Sequence, residues 1–223
     1  KSVETFGPAG KRVFDIGCSQ GSAAILLAEM GYDVIASDIR TDSLKYARKR
    51  YERGNCQFIA LNAERLPFKE KFDIIILGEF LEHVLYPEKM LKYFSDYLNK
   101  DGIFVITTPN GRAPHNRKFL TYTELKEKIK GSDPNSNIKL EQFGPEREDH
   151  VFNFRYGELV SLFNKANFEI LKSDFLNSYF INPLNFHKVL PYDLINWING
   201  VGTKIVLLNR FLSMGLFFVI KKK

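Results

Sequence analysis

Apolar runs of strand length alternate with stretches of helical periodicity through the first half of the chain. Arg12–Ile16 is apolar and ends at a glycine, which is typical of a strand covered on both faces. Phe72–Leu77 is a second, nearly continuous apolar run of the same kind. Between and after them the pattern predicts strands at Asp33–Ser37, Cys56–Ala60 and Ile103–Thr107, helices at Ala23–Met30, Asp42–Arg53 and Glu88–Leu98, and a turn at Asp101–Gly102.

Repeated strand–helix units predict an α/β fold with a parallel sheet and helices on both faces. The second half continues the pattern with a helix at Tyr156–Lys165, a strand at Phe168–Ser173 and a last strand at Gly215–Ile220. In such sheets, ligands bind at the carboxyl ends of the strands. We therefore look for a site in the segments that follow the strands.

Two long segments interrupt this regularity. Residues 110–149 are polar and carry one helical patch, Tyr122–Ile129, whereas residues 174–212 are rich in aromatic residues and asparagine. Long excursions in a compact domain commonly form lids or binding loops. We expect one domain, residues 1–223, with lid-like excursions at 110–149 and 174–212.

Composition and cysteine content bear on the partners and the cellular compartment of the protein. The chain has 223 residues and a formal net charge of +6, which suits an anionic partner or reflects lysine usage alone. Cys18 and Cys56 lack a metal-ligand spacing, and no leader is visible, so we expect a cytoplasmic protein. The aromatic second excursion and the terminal lysines suggest a buried substrate cap or a peripheral membrane contact. No feature predicts an oligomeric state.

The segment Val13-Phe-Asp-Ile-Gly-Cys-Ser-Gln-Gly21 follows the first strand and opens a helix. Glycine there permits a sharp turn and a close approach of ligand to backbone. The G-x-x-x-G spacing of Gly17 and Gly21 differs from the dinucleotide fingerprint G-x-G-x-x-G. Asp38, at the end of the second strand, suits ribose hydroxyls or caps the next helix. The two motifs together predict a nucleoside ligand.

Further motifs occur in a fixed order. They are Leu61-Asn-Ala-Glu-Arg-Leu-Pro-Phe68, Phe72-Asp-Ile-Ile-Ile-Leu-Gly-Glu-Phe-Leu-Glu-His-Val84, Leu98-Asn-Lys-Asp-Gly-Ile-Phe-Val-Ile-Thr-Thr-Pro-Asn110 and the segment from His150 to Phe168. Together with the glycine segment, this order resembles the class I S-adenosylmethionine-dependent methyltransferases, in particular the ubiquinone-biosynthesis O-methyltransferases. Ser19 stands where that family has its middle glycine, and Asn62 stands where it has an aspartate.

The resemblance implies a Rossmann-like, seven-stranded, mostly parallel sheet with an antiparallel last strand. It also implies S-adenosyl-L-methionine as cofactor and a small-molecule or lipid-linked methyl acceptor. The residues that it assigns to the cofactor are Asp15, Gly17, Cys18, Gly21, Asp38, Ile39, Asn62, Ala63, Leu77 and Glu79.

Two histidines are candidates for the base that takes a proton from the acceptor. His83 follows the fourth strand and His150 precedes the sixth-strand unit. Glu79, Glu82 and His83 form E-x-x-E-H, which would lie on one face of a helical turn and suit a divalent metal. The same acids would also be favoured by a helix N-terminus without any metal.

The sequence is also compatible with three other functions. A nucleic-acid methyltransferase would use the positive charge, although no N/D-P-P-Y/F tetrapeptide is present and we expect no nucleic-acid partner. An NAD(P)-dependent oxidoreductase would share the first two motifs but not the glycine spacing. A binding module that has kept the cofactor fold without activity would share all of them.

Overall fold

The computed structural model describes residues 10–114, 116, 119–130, 152–178, 191, 193–194 and 213–223. The chain divides into two compact units. The first comprises Lys1–Thr107, Phe163–Lys172 and Phe218–Lys223, and the second comprises Thr108–Leu162 and Ser173–Phe217. That the whole chain is a single domain stays a prediction.

Seven strands form one sheet in the order β3-β2-β1-β4-β5-β7-β6. The strands are β1 Arg12–Ile16, β2 Asp33–Asp38, β3 Asn55–Ala60, β4 Phe72–Gly78, β5 Leu98–Pro109, β6 Phe168–Ser178 and β7 Ser213–Lys222. The helices are α1 Ser22–Glu29, α2 Thr41–Arg50, α3 Pro87–Ser95, α4 Tyr122–Lys130 and α5 Tyr156–Lys165. The predicted Rossmann-like, mostly parallel sheet with an antiparallel last strand is confirmed.

The apolar runs form the centre of this sheet. Parallel neighbours flank β1 on both sides, with Val13 opposite Val34 of β2 and opposite Ile74 of β4. Val13 and Ile74 are completely buried, as continuous apolar strands require. The strand order reverses at β1, since β2 and β3 lie on one side of it and β4 and β5 on the other. A ligand is therefore expected beyond the carboxyl ends of β1 and β4.

Several sequence-based boundaries are wrong: α2 ends at Arg50 instead of Arg53, and α3 ends at Ser95 instead of Leu98. The turn expected at Asp101–Gly102 lies inside β5, which begins at Leu98. The register between β4 and β5 shifts there: Phe72 pairs with Leu98, but Ile74 pairs with Ile103. Between these two pairs β5 has more residues than β4, and the additional β5 residues form an irregularity in the strand pairing. No local sequence pattern predicts it. β6 extends to Ser178, so the first residues of the excursion predicted at 174–212 are strand.

The described part of the first excursion contains an ordered helix. α4 begins with a capping box, because Thr121 N–H donates to Glu124 Oε2 (2.7 Å) and Glu124 N–H donates to Thr121 Oγ1 (3.4 Å). Tyr122 is buried and contacts Phe152 and Phe154 through ring centroids 5.2 and 5.1 Å apart. Residues 131–149 of this excursion and most of 179–212 lie outside the described residues, so the lid roles stay predictions.

Within the ranges that the structure describes, no helix is long and apolar enough to cross a membrane.

Candidate active site

The loop after β1 has the backbone of a tight turn into α1. Gly17 and Gly21 have positive φ angles of 71° and 70°, and Ser19 has a φ of 48°. Cys18 N–H donates to Ser37 O at 2.8 Å, and Gly21 N–H donates to Cys18 O at 2.8 Å. A Cβ on Gly17 would lie 2.8 Å from the Phe80 ring. Glycine is therefore required at position 17 by both conformation and space.

Asp38 joins this loop to the start of α2. Its Oδ2 accepts a hydrogen bond from Ser19 N–H and its Oδ1 accepts one from Arg40 N–H, both at 2.8 Å. The Asp38 side chain is 7% exposed, and the Arg40 Nε lies 3.7 Å from Oδ1. The carboxylate is thus fixed by two backbone donors, and it faces the Arg40 guanidinium, which no local sequence signal predicts there.

A cavity of about 450 Å³ opens where the carboxyl ends of β1 and β4 meet this loop. Its position is the one that the strand order favours. It is lined by Asp15, Gly17, Cys18, Ser19, Gln20, Ser22, Ala23, Arg40, Ile76, Gly78, Glu79 and His83.

The structure brings together only some of the predicted cofactor residues. The predicted residues in the lining are Asp15, Gly17, Cys18 and Glu79, together with the candidate base His83. The other predicted cofactor residues lie outside the lining: Gly21, Asp38, Ile39, Asn62, Ala63 and Leu77. His150 lies outside the described residues.

Three of the residues outside the lining have clear positions. Ile39 is 71% exposed beside the cavity, and Leu77 is completely buried in the core, although its strand neighbours line the cavity. Asn62 Oδ1 accepts a hydrogen bond from Glu64 N–H at 2.9 Å. This is a local turn motif of asparagine, and it engages the side-chain oxygen of a residue that the resemblance assigns to the cofactor.

Glu79 begins the segment that follows β4. It has a φ of 50°, its N–H donates to Thr107 O at 2.9 Å, and its side chain lines the cavity. Burial of the carboxyl raises the pKa of Glu79, whereas a hydrogen bond from Thr107, the charge of His83 and a hydrogen bond with Glu82 act to lower it. Burial is the largest of these effects, so the net shift of the Glu79 pKa is upward.

The predicted metal site is not supported. Leu81–His83 forms a single 3-10 turn instead of an α-helical one, and Glu82 is completely buried, unlike Glu79 and His83 at the cavity. Among the described residues, no group of three or more His, Cys, Asp or Glu side chains is arranged to hold a metal ion.

Asp15 is the buried acid of the cavity. It is 3% exposed at the end of β1. Burial, and then the charge of Asp38, raise the pKa of Asp15 from 3.8 to about 7, against a hydrogen bond from the Ala24 backbone. Burial and nearby acids also raise the pKa of Cys56 to about 12 and that of Cys18 further. Both thiols therefore stay protonated and are poor nucleophiles.

Most lining residues that the sequence reasoning missed belong to motifs it had found. Ser19 and Gln20 lie between Gly17 and Gly21, Ser22 and Ala23 follow Gly21 directly, and Ile76 and Gly78 are in β4. Arg40 is different, because a position two residues after a strand-end acid carries no sequence signal of its own. Only the approach of two loops shows that it reaches the cavity.

Comparison with known proteins gives the family of this chain. The model of the methyltransferase domain family matches residues 8–167. The chain belongs to the class I S-adenosylmethionine-dependent methyltransferases. This methyltransferase is 34% identical over 201 residues to the ubiquinone biosynthesis O-methyltransferase of Idiomarina loihiensis, covering 87% of the chain and 75% of that relative. It is 33% identical over 118 residues to the Glaesserella parasuis enzyme of that name, covering 49% of the chain and 50% of the relative.

Solved structures agree with the methyltransferase fold. A methyltransferase from Methanosarcina mazei matches with a TM-score of 0.64 at 20% identity, covering 99% of this chain and 96% of that one. The magnesium protoporphyrin IX methyltransferase of Synechocystis, solved with bound S-adenosylhomocysteine, matches with a TM-score of 0.60 at 14% identity, covering 100% and 78%. The methyltransferase spans about half the length of the first curated relatives it matches.

The cavity of the methyltransferase fits the cofactor of its family. Gly17 and Cys18 line the cavity, so a ligand there can lie against the backbone of the loop after β1. The fixed Asp38 carboxylate beside it retains lone pairs that can accept ribose hydroxyls. Buried Asp15, once ionised, would favour a cationic ligand over a neutral one. These residues form a chemically suitable set for S-adenosylmethionine.

Proposed function

We propose that this chain transfers the methyl group of S-adenosylmethionine to a hydroxyl oxygen of a small-molecule or lipid-linked acceptor. The observation that carries the proposal is one cavity lined both by the glycine loop and Asp15, on the cofactor side, and by His83 and Glu79. The relatives named ubiquinone biosynthesis O-methyltransferases support oxygen as the nucleophile. An acceptor of the ubiquinone-precursor class is the first to test.

The residues of the chain would hold and orient the reactants. The loop Gly17–Ser19 and Asp38 would fix the nucleoside, and Asp15 would face the positive end of the ligand. S-adenosylmethionine, when bound, supplies a methyl group already activated by the sulfonium charge. Alignment of acceptor and methyl group is then the main task of the protein and is worth roughly 7–11 kcal/mol of barrier in favourable cases.

His83 would accept the proton of the acceptor hydroxyl. It lines the cavity and lies close enough to Glu79 for its charge to lower the pKa of that carboxyl. A neutral imidazole nitrogen can accept a proton, and histidine is the side chain that most often does so in general-base catalysis.

We propose that the reaction takes place in the cytoplasm. Cys18 and Cys56 are both free, which is usual in a reducing compartment.

Cofactor binding tests the first half of the proposal. We expect Asp38→Ala to weaken the binding of S-adenosylmethionine and S-adenosylhomocysteine by about 100-fold, because two hydrogen bonds to a charged group are lost. Calorimetry with both ligands and with NAD is the measurement. The matched control is Asp33→Ala, at the other end of β2, where the carboxylate pairs with Arg12 instead.

Binding of NAD but of neither sulfur ligand would replace the proposal by the oxidoreductase alternative. If neither sulfur ligand nor NAD bound to a folded protein, the proposal would fail.

Methyl-transfer activity tests the proposed role of His83 as the proton acceptor. We expect His83→Ala to lower kcat by about 100-fold or more with little change in S-adenosylhomocysteine affinity, since only the proton acceptor is removed. The assay is methyl transfer to a short-chain ubiquinone-precursor phenol, followed as a function of pH. Added imidazole should restore part of the rate in the variant. An unchanged kcat and pH profile would exclude His83 as the base.

A further inference from the structure

Arg40 stands between the Asp38 carboxylate and the open space of the cavity. Arg40 and Ser19 both line the cavity, whereas Asp38 does not. The Arg40 side chain is 60% exposed and the Asp38 side chain 7% exposed. A ligand that enters the cavity therefore meets the guanidinium before it reaches the acid.

The two oxygens of Asp38 differ in what they can still accept. Each carboxylate oxygen has two lone pairs, and one on each oxygen is used by a backbone N–H, from Ser19 on Oδ2 and from Arg40 on Oδ1. The described contacts leave the second lone pair of Oδ2 for a ligand. On Oδ1, the Arg40 Nε lies 3.7 Å away and faces the same oxygen. A ribose diol that uses both oxygens must share Oδ1 with the guanidinium.

Ser19 holds the guanidinium in this position. Arg40 Nη2 donates to Ser19 Oγ at 3.4 Å. Ser19 has a left-handed φ of 48°, where glycine would be unstrained. The hydroxyl that ties Arg40 to the loop is thus present only because serine occupies a position that favours glycine.

We propose that Arg40, anchored by Ser19, competes with one ribose hydroxyl of the cofactor for Asp38 Oδ1 and thereby sets the cofactor affinity. This inference rests on the proposed function, because it takes Asp38 as the ribose-binding acid. Binding moves the guanidinium off Oδ1, and the free energy of that ion pair is subtracted from the binding free energy. The Arg40 side chain is 60% exposed, so solvent screens this ion pair, its free energy is modest, and the affinity changes by a small factor. The ribose hydroxyl that binds Oδ2 displaces no guanidinium, so its binding free energy is not reduced in this way.

The test compares two arginines that contact the same loop. Arg40→Met removes the competing charge and keeps the length of the side chain. Arg50→Met is the matched control, because Arg50 donates to Gln20 O (3.5 Å) and Ser22 Oγ (3.2 Å) and its contacts do not include Asp38. Calorimetry of the full chain uses S-adenosylhomocysteine and its 2′-deoxy and 3′-deoxy analogues, at low and at high salt.

We expect Arg40→Met to lower the Kd of S-adenosylhomocysteine by about two- to fivefold, and Arg50→Met to leave it unchanged. The gain should disappear for the deoxy analogue that lacks the competing hydroxyl and remain for the other one. High salt should strengthen binding to the wild type more than to Arg40→Met, because salt screens the exposed pair. Ser19→Gly should give a smaller gain in the same direction.

Other results would overturn the inference. Weaker binding by Arg40→Met would mean that the arginine contacts the cofactor favourably, and an equal gain for all three ligands would mean a general charge effect. In both cases wild-type binding and its dependence on Asp38 would stand, so the proposed function would survive. If the folded wild type bound none of the three ligands, the proposed function would fail and this inference with it.

Discussion

Gly21→Ala is expected to lower the free energy of unfolding by about 3 kcal/mol. Gly21 has a φ of 70°, a left-handed conformation that costs an alanine about 1–2 kcal/mol. Its Cβ would also lie 2.7 Å from the Phe58 ring and 3.0 Å from the Ala47 Cβ, in a buried position that cannot expand freely. Chemical denaturation with an unchanged m-value is the measurement.

Gly157→Ala is the control for this substitution. Gly157 lies in α5, has no atom within 4 Å of the Cβ position, and has an ordinary helical environment. Alanine there should raise stability by up to about 1 kcal/mol, since it restricts the unfolded chain and favours helix. If both variants were equally stable, the close packing of α1, α2 and β3 around Gly21 would be wrong.

Asp15→Asn is expected to remove most of the decrease in stability with pH that the wild type shows between about pH 4 and pH 7. The pKa of Asp15 is about 7 in the folded protein against an ordinary value of 3.8. In this window the folded chain keeps a proton that the unfolded chain has lost, so the free energy of unfolding falls as pH rises. About three pKa units correspond to roughly 4 kcal/mol.

The asparagine variant carries no such proton and should gain on the wild type as pH rises, reaching its full advantage above pH 7. The measurement is urea denaturation from pH 4 to pH 8. Asp101→Asn is the control, because the Lys221 ion pair lowers the pKa of Asp101. Stability from that pair is lost only as pH falls below the ordinary pKa of aspartate, so this variant should keep the wild-type slope. An equal slope in Asp15→Asn and wild type would show that Asp15 is ionised throughout.

Local signals were sufficient where an element is defined by its own residues. The bounds of β1, Arg12–Ile16, and of α5, Tyr156–Lys165, agree with the prediction, because an apolar run ended by glycine and an amphipathic repeat are both readable along the chain. The start of β5 was missed because the register against β4, not the composition of Asp101–Gly102, decides where pairing begins. Strand register depends on two strands together, so it cannot be predicted from the residues of either strand alone.

In the candidate site, too, some features could be predicted from local sequence and others could not. The motifs around Gly17 and Asp38 were readable because glycine and a strand-end acid have restricted uses at those positions. The expectation for Glu79, Glu82 and His83 assumed a helical turn, and the 3-10 geometry with a buried Glu82 replaced it. Asn62 was matched to a family position, yet its oxygen is used by its own loop.

The family, the strand–helix order and the two loops on the cofactor side of the cavity could be predicted from the sequence alone, because each depends on contiguous residues with narrow conformational or chemical preferences. Three-dimensional packing was needed to show that Arg40 reaches Asp38 and Ser19, that Asp15 is buried enough for its pKa to reach about 7, and that Glu82 is buried whereas Glu79 lines the cavity. These features arise where loops from neighbouring parallel strands meet at one edge of the sheet. Burial and charge there depend on residues that are far apart in the chain.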